Sequence, residues 1–187
     1  MGRMKFQSTP LPDLTLIEAT RVEDERGQFS RLFCEAECAT IRPGLHWTQI
    51  NLSRTYDKGT VRGMHFQYSP ATEAKLIRCL RGRVFDVAVD LRVDSPTFLH
   101  WHGVELDEDG STQFFIPEGF AHGFQAMTDG AQLLYLHTVA WNREQEGGLR
   151  HDDPAIAIVW PLPVTRISAK DRQWPLVKEG GFSGIQP

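Results

Sequence analysis

Cysteine is scarce in this 187-residue chain: Cys34, Cys38 and Cys79 are too few, and odd in number, for a disulfide framework. Cys34-x3-Cys38 has no Cys or His partner at zinc-finger spacing, so reduced thiols in a cytosol are the plain reading. Long apolar runs are missing as well. No stretch approaches the roughly 18 apolar residues of a membrane span, and Arg3 and Lys5 lead into Gln7-Ser-Thr-Pro10 instead of the apolar core of an export signal. A cytoplasmic protein without a membrane partner is expected. Nor is there an excess of positive charge. Twenty Lys and Arg face 24 Asp and Glu, a net charge of −4, which gives no whole-chain electrostatic reason to bind nucleic acid. An anionic ligand would have to be held by local Arg and Lys. Repeats, low-complexity segments and linkers are absent, and helix signals are few. Residues 34–41 allow one or two turns, and Ser168-Ala-Lys-Asp-Arg172 can open a short helix.

What the chain does have is alternation. Phe85, Val87, Val89 and Leu91 alternate with Val84, Asp86, Ala88 and Asp90, the pattern of a half-buried strand. Asp94-Ser-Pro96 then breaks the run. Further strand-like runs span 46–53, 60–67, 75–80, 99–106, 112–116, 121–127 and 131–141, with Asp, Gly and Pro turns between several of them. Short strands at this spacing predict an all-β fold, a sandwich or double-sheet jelly roll in a single domain. Within it, 1–45 reads as an N-terminal segment whose first 30 residues form an extended arm suited to completing a neighbour's sheet. Residues 46–145 read as the core barrel and 146–187 as a C-terminal extension.

Side-chain parity sorts the polar residues. On 60–67, Gly63, His65 and Gln67 share one face and Met64 and Phe66 the other. On 131–141, Leu133, Tyr135, His137, Val139 and Trp141 share a face; Gln49 and Asn51 do so on their own strand. The segment Pro117-x-Gly119-x-x-His122-x-Phe124 resembles the second motif of the cupin superfamily, a turn and strand bearing an inward histidine that many cupins use as a metal ligand. A metal site needs several such ligands. The first cupin motif would supply His-x-His, but the second position is Gln67, and Glu73 is offset from the place of the following Glu. His100-x-His102 with Glu105 has ligand-like spacing, yet His102 and Glu105 have opposite parity on a strand. No metal and no cofactor are expected.

Together, Asp24-Glu-Arg-Gly27, Gln49-Ile-Asn-Leu-Ser53, Val61-Arg-Gly-Met-His-Phe-Gln67, Ala74-Lys-Leu-Ile-Arg78, Gly82 to Asp90, Ser95-Pro-Thr-Phe98, Ile116 to Phe124, Asp153-Pro154, Trp160-Pro161 and Ser168-Ala-Lys-Asp171 resemble the dTDP-4-dehydrorhamnose 3,5-epimerase family. These are metal-free cupins with short peripheral helices that act on nucleotide-linked 4-keto-6-deoxy sugars. The resemblance implies a homodimer and assigns His65 as the base, Asp171 as its orienting carboxylate, Lys75 as the cation beside the developing enolate and Tyr135 as the acid. It assigns Arg26, Gln49, Asn51, Arg62, His122, Trp141, Glu146 and Lys170 to substrate binding, with Arg26 reaching a site in the partner subunit.

Each chemical role has a plainer competitor. His65 can be a hydrogen-bonded core histidine, Tyr135 a core aromatic, Asp171 part of a helix-start signal, and Lys75 a solvated charge on an edge strand. Two positions depart from the family pattern: Arg31 stands where a Glu helps bind the nucleotide, and Trp141 where a Tyr stacks on the base. Three readings follow. The first is an isomerase inverting C3 and C5 of a dTDP-4-keto-6-deoxyhexose. The second is a relative acting at one carbon, or on a CDP- or GDP-linked sugar. The third is a non-catalytic sugar-nucleotide-binding cupin.

Overall fold

A computed structural model describes residues 3–187. The strands are β1 (Met4–Ser8), β2 (Thr15–Ala19), β3 (Arg21–Asp24), β4 (Gly27–Ser30), β5 (Gln49–Thr55), β6 (Val61–Gln67), β7 (Lys75–Arg81), β8 (Arg83–Asp90), β9 (Trp101–Asp107), β10 (Thr112–Ile116), β11 (Phe120–Ala126), β12 (Ala131–His137) and β13 (Glu146–Gly148). Short helices α1 (Glu35–Cys38), α2 (Ala169–Arg172) and α3 (Val177–Gly180) lie at the periphery. Two antiparallel sheets form the body, one ordered β1-β2-β10-β7-β12-β5 and the other β13-β6-β11-β8-β9. This is the all-β jelly roll that the alternation predicts.

The core between the sheets comes from one parity of each strand. Ile77, Cys79, Val84, Ala88, Leu106, Phe114, Phe120, Phe124 and Leu133 meet there, all at most 2% exposed. Full burial of each large apolar side chain is worth about 1.5–3 kcal/mol. The opposite parity is covered too, which corrects the expectation of a half-buried β8. Val87, Val89 and Leu91 pack with Met64, Phe66 and Ala121 under Leu149, Ile156, Val177 and Ile185. The segment following residue 145 thus lies over the outer face of the five-stranded sheet and turns its strands into elements buried on both sides. On the other sheet, Leu76, Phe115, Leu136 and Ile17 are covered by Cys38 and Leu45.

The N-terminal arm is divided in the structure. β1 and β2 pair with one another, and β2 with β10, inside the chain's own sheet. Only β3 and β4 stand apart as a two-stranded hairpin. Met1 and Gly2 of the expected arm lie outside the described residues.

One irregularity sets the site. Between β6 and β11, His65 is opposite His122 while Arg62 is opposite Phe124, so three steps on β6 match two on β11. Gly63 sits in this bulge at φ +125°, and a Cβ there would approach Gly123 Cα to 2.5 Å. Only glycine fits so close a backbone crossing. The extra residue breaks strict alternation, so Arg62 and His65, of opposite parity, line the same cavity.

Candidate active site

The cavity between the sheets has a volume of about 600 Å³. Its walls belong to different sheets. β6 and β11 of the five-stranded sheet contribute Arg62, His65, Gln67 and His122; β5, β7 and β12 of the six-stranded sheet contribute Asn51, Ser53, Lys75, Tyr135 and His137. The C-terminal segment closes one side with Glu146, Ser168, Lys170 and Asp171. Of the twelve residues singled out from the sequence, ten line this cavity: His65, Lys75, Tyr135, Asp171, Asn51, Arg62, His122, Trp141, Glu146 and Lys170.

His65 and Asp171, 106 residues apart, meet with Nε2 to Oδ1 at 2.7 Å. The loop before α2 makes this possible. Ser168 is the N-cap and its Oγ accepts the Asp171 N–H at 3.0 Å, so the helix-start signal and the carboxylate's placement are one feature. The Asp171 side chain is 5% exposed and that of His65 37%. Burial alone would raise the Asp171 carboxyl, but the His65 hydrogen bond and charge, with the Gly63 N–H and Ser168, hold it below its ordinary value. An ionised Asp171 accepts a hydrogen bond from His65 Nε2–H, which leaves Nδ1 as the nitrogen with a free lone pair.

Facing this pair, Tyr135 lies among three aromatic or polar neighbours. His122 meets its ring edge-on at 5.8 Å, His137 stacks on it at 5.9 Å, and Ser53 Oγ is 3.5 Å from its hydroxyl. Burial pushes the phenol up, and the Asp86 charge adds to this against weaker opposing effects of Ser53 and Arg62. Tyr135 therefore holds its proton at neutral pH. His122 Nε2 is 2.8 Å from Asp86 Oδ1, and burial raises the Asp86 carboxyl despite that contact.

Lys75 is not on an edge strand. β7 lies between β10 and β12, and Lys75 is 5% exposed, so the solvated-charge reading fails. Its ammonium is 2.8 Å from Glu73 Oε1, while Glu73 Oε2 is 2.8 Å from His137 Nδ1. Burial would raise Glu73, but the Lys75 charge, the His137 hydrogen bond and their further effects outweigh it and bring the carboxyl to about 2. Because this lies below the ordinary 4.5, Glu73 stabilises the fold at neutral pH, and that contribution is lost as pH falls from about 4.5 towards about 2. Its size is on the order of 3 kcal/mol. Urea unfolding of the wild type and of Glu73→Gln is expected to show a stability gap at pH 7 that narrows across this window. A gap independent of pH would contradict the ionised, paired Glu73.

The binding residues divide. Lys170 Nζ and Glu146 Oε1 form an ion pair at 2.5 Å on the cavity wall. Trp141 lies at the rim, 56% exposed, but not on the strand of Tyr135. β12 ends at His137, where its partner residues Gln49 and Lys75 also begin their strands, and Trp141 belongs to the following turn. That turn is held from behind: Gln49 Oε1 accepts the Trp141 N–H at 3.2 Å and Gln67 Oε1 the Asn142 N–H at 2.6 Å. Gln49 thus braces the wall and does not line it. Arg26 is also absent from the cavity of its own chain. It sits at the tip of the β3–β4 hairpin, paired with Asp24, its side chain 82% exposed. Arg31 pairs with Glu37, which also accepts the Met4 N–H at 2.6 Å.

Asp86, Glu73 and Ser53 escaped the sequence reading. An Asp on the same strand face as Val84 and Ala88 was a visible signal for the first, and Glu73, two residues before Lys75, for the second; nothing local marks Ser53. Among the described residues, no three His, Cys, Asp or Glu side chains gather as a metal-holding group, His100, His102 and Glu105 included.

The sequence model of the dTDP-4-dehydrorhamnose 3,5-epimerase family matches residues 8–179. The chain belongs to this family. It is 40% identical over 180 residues to a dTDP-4-dehydrorhamnose 3,5-epimerase from Sinorhizobium fredii, covering 96% of this chain and 92% of the relative. It is 41% identical to a dTDP-4-dehydrorhamnose 3-epimerase from Streptomyces niveus, over 76% of this chain and 69% of that one. Its fold matches the crystal structure of a dTDP-6-deoxy-D-glucose-3,5-epimerase from Legionella pneumophila in complex with dTDP-4-keto-L-rhamnose, with TM-score 0.91, 37% identity and coverage of 99% and 100%. Among the described residues, no helix is long and apolar enough to cross a membrane.

Proposed function

We propose that the protein is an epimerase that inverts C3 and C5 of a dTDP-linked 4-keto-6-deoxyhexose, acting in the cytoplasm as a homodimer. The observation that carries this reading is that His65 and Tyr135 enter one cavity from opposite sheets. Inversion beside a ketone needs a base on one face of the ring and an acid on the other. The C4 carbonyl acidifies the hydrogens at both neighbouring carbons. His65 removes one through Nδ1, and Asp171 stabilises the imidazolium that forms; a positioned base of this kind contributes about 10²–10⁴ in rate. Charge developing on the C4 oxygen is met by Lys75 and His122, and one well-aimed donor is worth about 3–4 kcal/mol. Tyr135 then delivers its proton to the opposite face. Exchange with solvent takes the proton from His65 and returns one to Tyr135, and the same cycle at the second carbon completes the reaction.

Arg62 supplies a planar donor pair for the diphosphate. Asn51, Glu146 and Lys170 hold the sugar and nucleotide, and Trp141 at the rim stacks on the base. Arg26 completes the site from the partner subunit. Its hairpin supports this, because cross-strand partners Val22 and Phe29 are 51% and 59% exposed and an isolated two-stranded hairpin is marginal in water. Edge strand β5 likewise exposes Ile50 and Leu52 beside the cavity.

A second reading, inversion at one carbon only, is favoured by the Streptomyces niveus relative, whose name gives a 3-epimerase. Incubation with dTDP-4-keto-6-deoxyglucose in D2O separates the two: deuterium at both carbons is expected, and at one carbon the second reading holds. No deuterium would refute both. The same preparation is expected to sediment at twice the chain's 21.2 kDa; a monomer would refute the shared site.

A further inference from the structure

We propose that Glu73 is a positioning residue of the reaction, a carboxylate that clamps the Lys75 ammonium and the His137 imidazole in the wall that carries Tyr135. The inference rests on the epimerase reading and goes beyond it, since no step of that chemistry calls for an acidic residue at this point.

Glu73 precedes β7, and its side chain is 9% exposed. Each of its oxygens has its own partner, Lys75 Nζ and His137 Nδ1, both at 2.8 Å. Those two residues are directly opposite one another on β7 and β12, so one carboxylate ties two neighbouring strands together at the cavity wall. Both partners are themselves largely buried, with side chains 6% and 12% exposed. An ammonium in that setting is strongly disfavoured without an anion and has several rotatable bonds through which to leave it. Glu73 therefore gives the buried ammonium its counter-ion and holds it in place, while the other donors of the ammonium remain for the substrate oxygen.

The second arm reaches the acid. His137 donates Nδ1–H to Glu73, which fixes the plane of its ring, and that ring stacks on Tyr135 at 16° between planes. A carboxylate with both oxygens so engaged is poorly placed to take a proton itself. Glu73 acts through Lys75 and His137 and touches no reacting atom.

The test is a double-mutant cycle on solvent exchange with dTDP-4-keto-6-deoxyglucose in D2O, using the wild type, Glu73→Gln, Lys75→Met and the double variant, each checked for folding by its thermal melt. Glu73→Gln is expected to lower kcat about 10–100-fold with KM changed less than about threefold, because a misplaced donor is felt in the transition state. The double variant is expected to lose clearly less than the product of the two single losses, since the arm through Lys75 has nothing left to act on and only the arm through His137 remains. A Glu73→Gln kcat within about twofold of the wild type, or losses that multiply in the double variant, would overturn the proposal. Should Glu73→Gln not fold, Glu73→Asp carries the same cycle: it keeps the charge, withdraws it by one methylene, and is expected to lose about tenfold in kcat with the same non-additivity. A wild type that exchanges while the losses multiply refutes the clamp alone; a wild type that does not exchange refutes the epimerase reading and the clamp with it.

Discussion

Replacing His65 by Ala is expected to abolish hydrogen exchange at C3 and C5 of a dTDP-4-keto-6-deoxyhexose, a loss of about 10³-fold or more. The size follows from the site's economy of bases. Among the groups lining the cavity, Asp171 is committed to His65, Glu73 to Lys75 and His137, and Glu146 to Lys170. Asp86 is wholly buried against His122. None of these carboxylates is free to take the place of His65. The cost to the fold is modest, because the His65 side chain is 37% exposed, and the principal penalty is the lost partner of Asp171, about 1–3 kcal/mol. A variant that melts near the wild type but does not exchange is the expected outcome. Binding of dTDP is expected to persist, since the phosphate and base contacts lie on other residues. Exchange within tenfold of the wild type would show that another group takes the proton.

Tyr135→Phe is expected to separate two steps that the wild type couples. The ring and its packing against His122 and His137 remain; only the hydroxyl is removed, and its one contact, to Ser53, is a long 3.5 Å. Stability is therefore expected to change by less than about 1 kcal/mol. His65 can still remove a proton and return a deuteron to the same face. What is lost is delivery from the opposite sheet. Deuterium without inversion is thus the predicted product at one centre at least, with inversion there slower by about 10²-fold or more. Equal losses of exchange and inversion would instead place Tyr135 in a supporting role. Because burial raises this phenol, it stays a proton donor across neutral pH, and its own ionisation sets no alkaline limit there.

How far the sequence carries this account differs from residue to residue. Alternation located the strands from β5 to β12 but not β1 to β4 or β13, and it placed His65 and Gln67 on one face with Met64 and Phe66 on the other, because a two-residue period is a local property of extended backbone. The start of α2 was equally local: Ser168 and Asp171 are three residues apart and cap one turn. Non-local features were not readable. The plainer reading of Lys75 as an edge-strand charge stood open because one strand carries no information about its neighbours; only the strand order places it in mid-sheet beside Glu73 and His137. Arg62 reached the cavity through a bulge that a parity count cannot see, although Gly63 marks the place. On β8 the face of Asp86 and Asp90 looked destined for water; it turns inward instead, because the apolar face of Val87, Val89 and Leu91 is covered by Ile156, Val177 and Ile185, far along the chain. The link between His65 and Asp171 came from family resemblance, since no spacing rule joins residues 106 apart.

The central claim is that one cavity presents a base and an acid to opposite faces of the same sugar ring. The measurement that tests it most directly is site-resolved NMR of dTDP-4-keto-6-deoxyglucose turned over in D2O by the wild type. The account predicts one deuteron at C3 and one at C5, each on an inverted carbon. Deuterium incorporated with retained configuration, or label confined to C3, would contradict it.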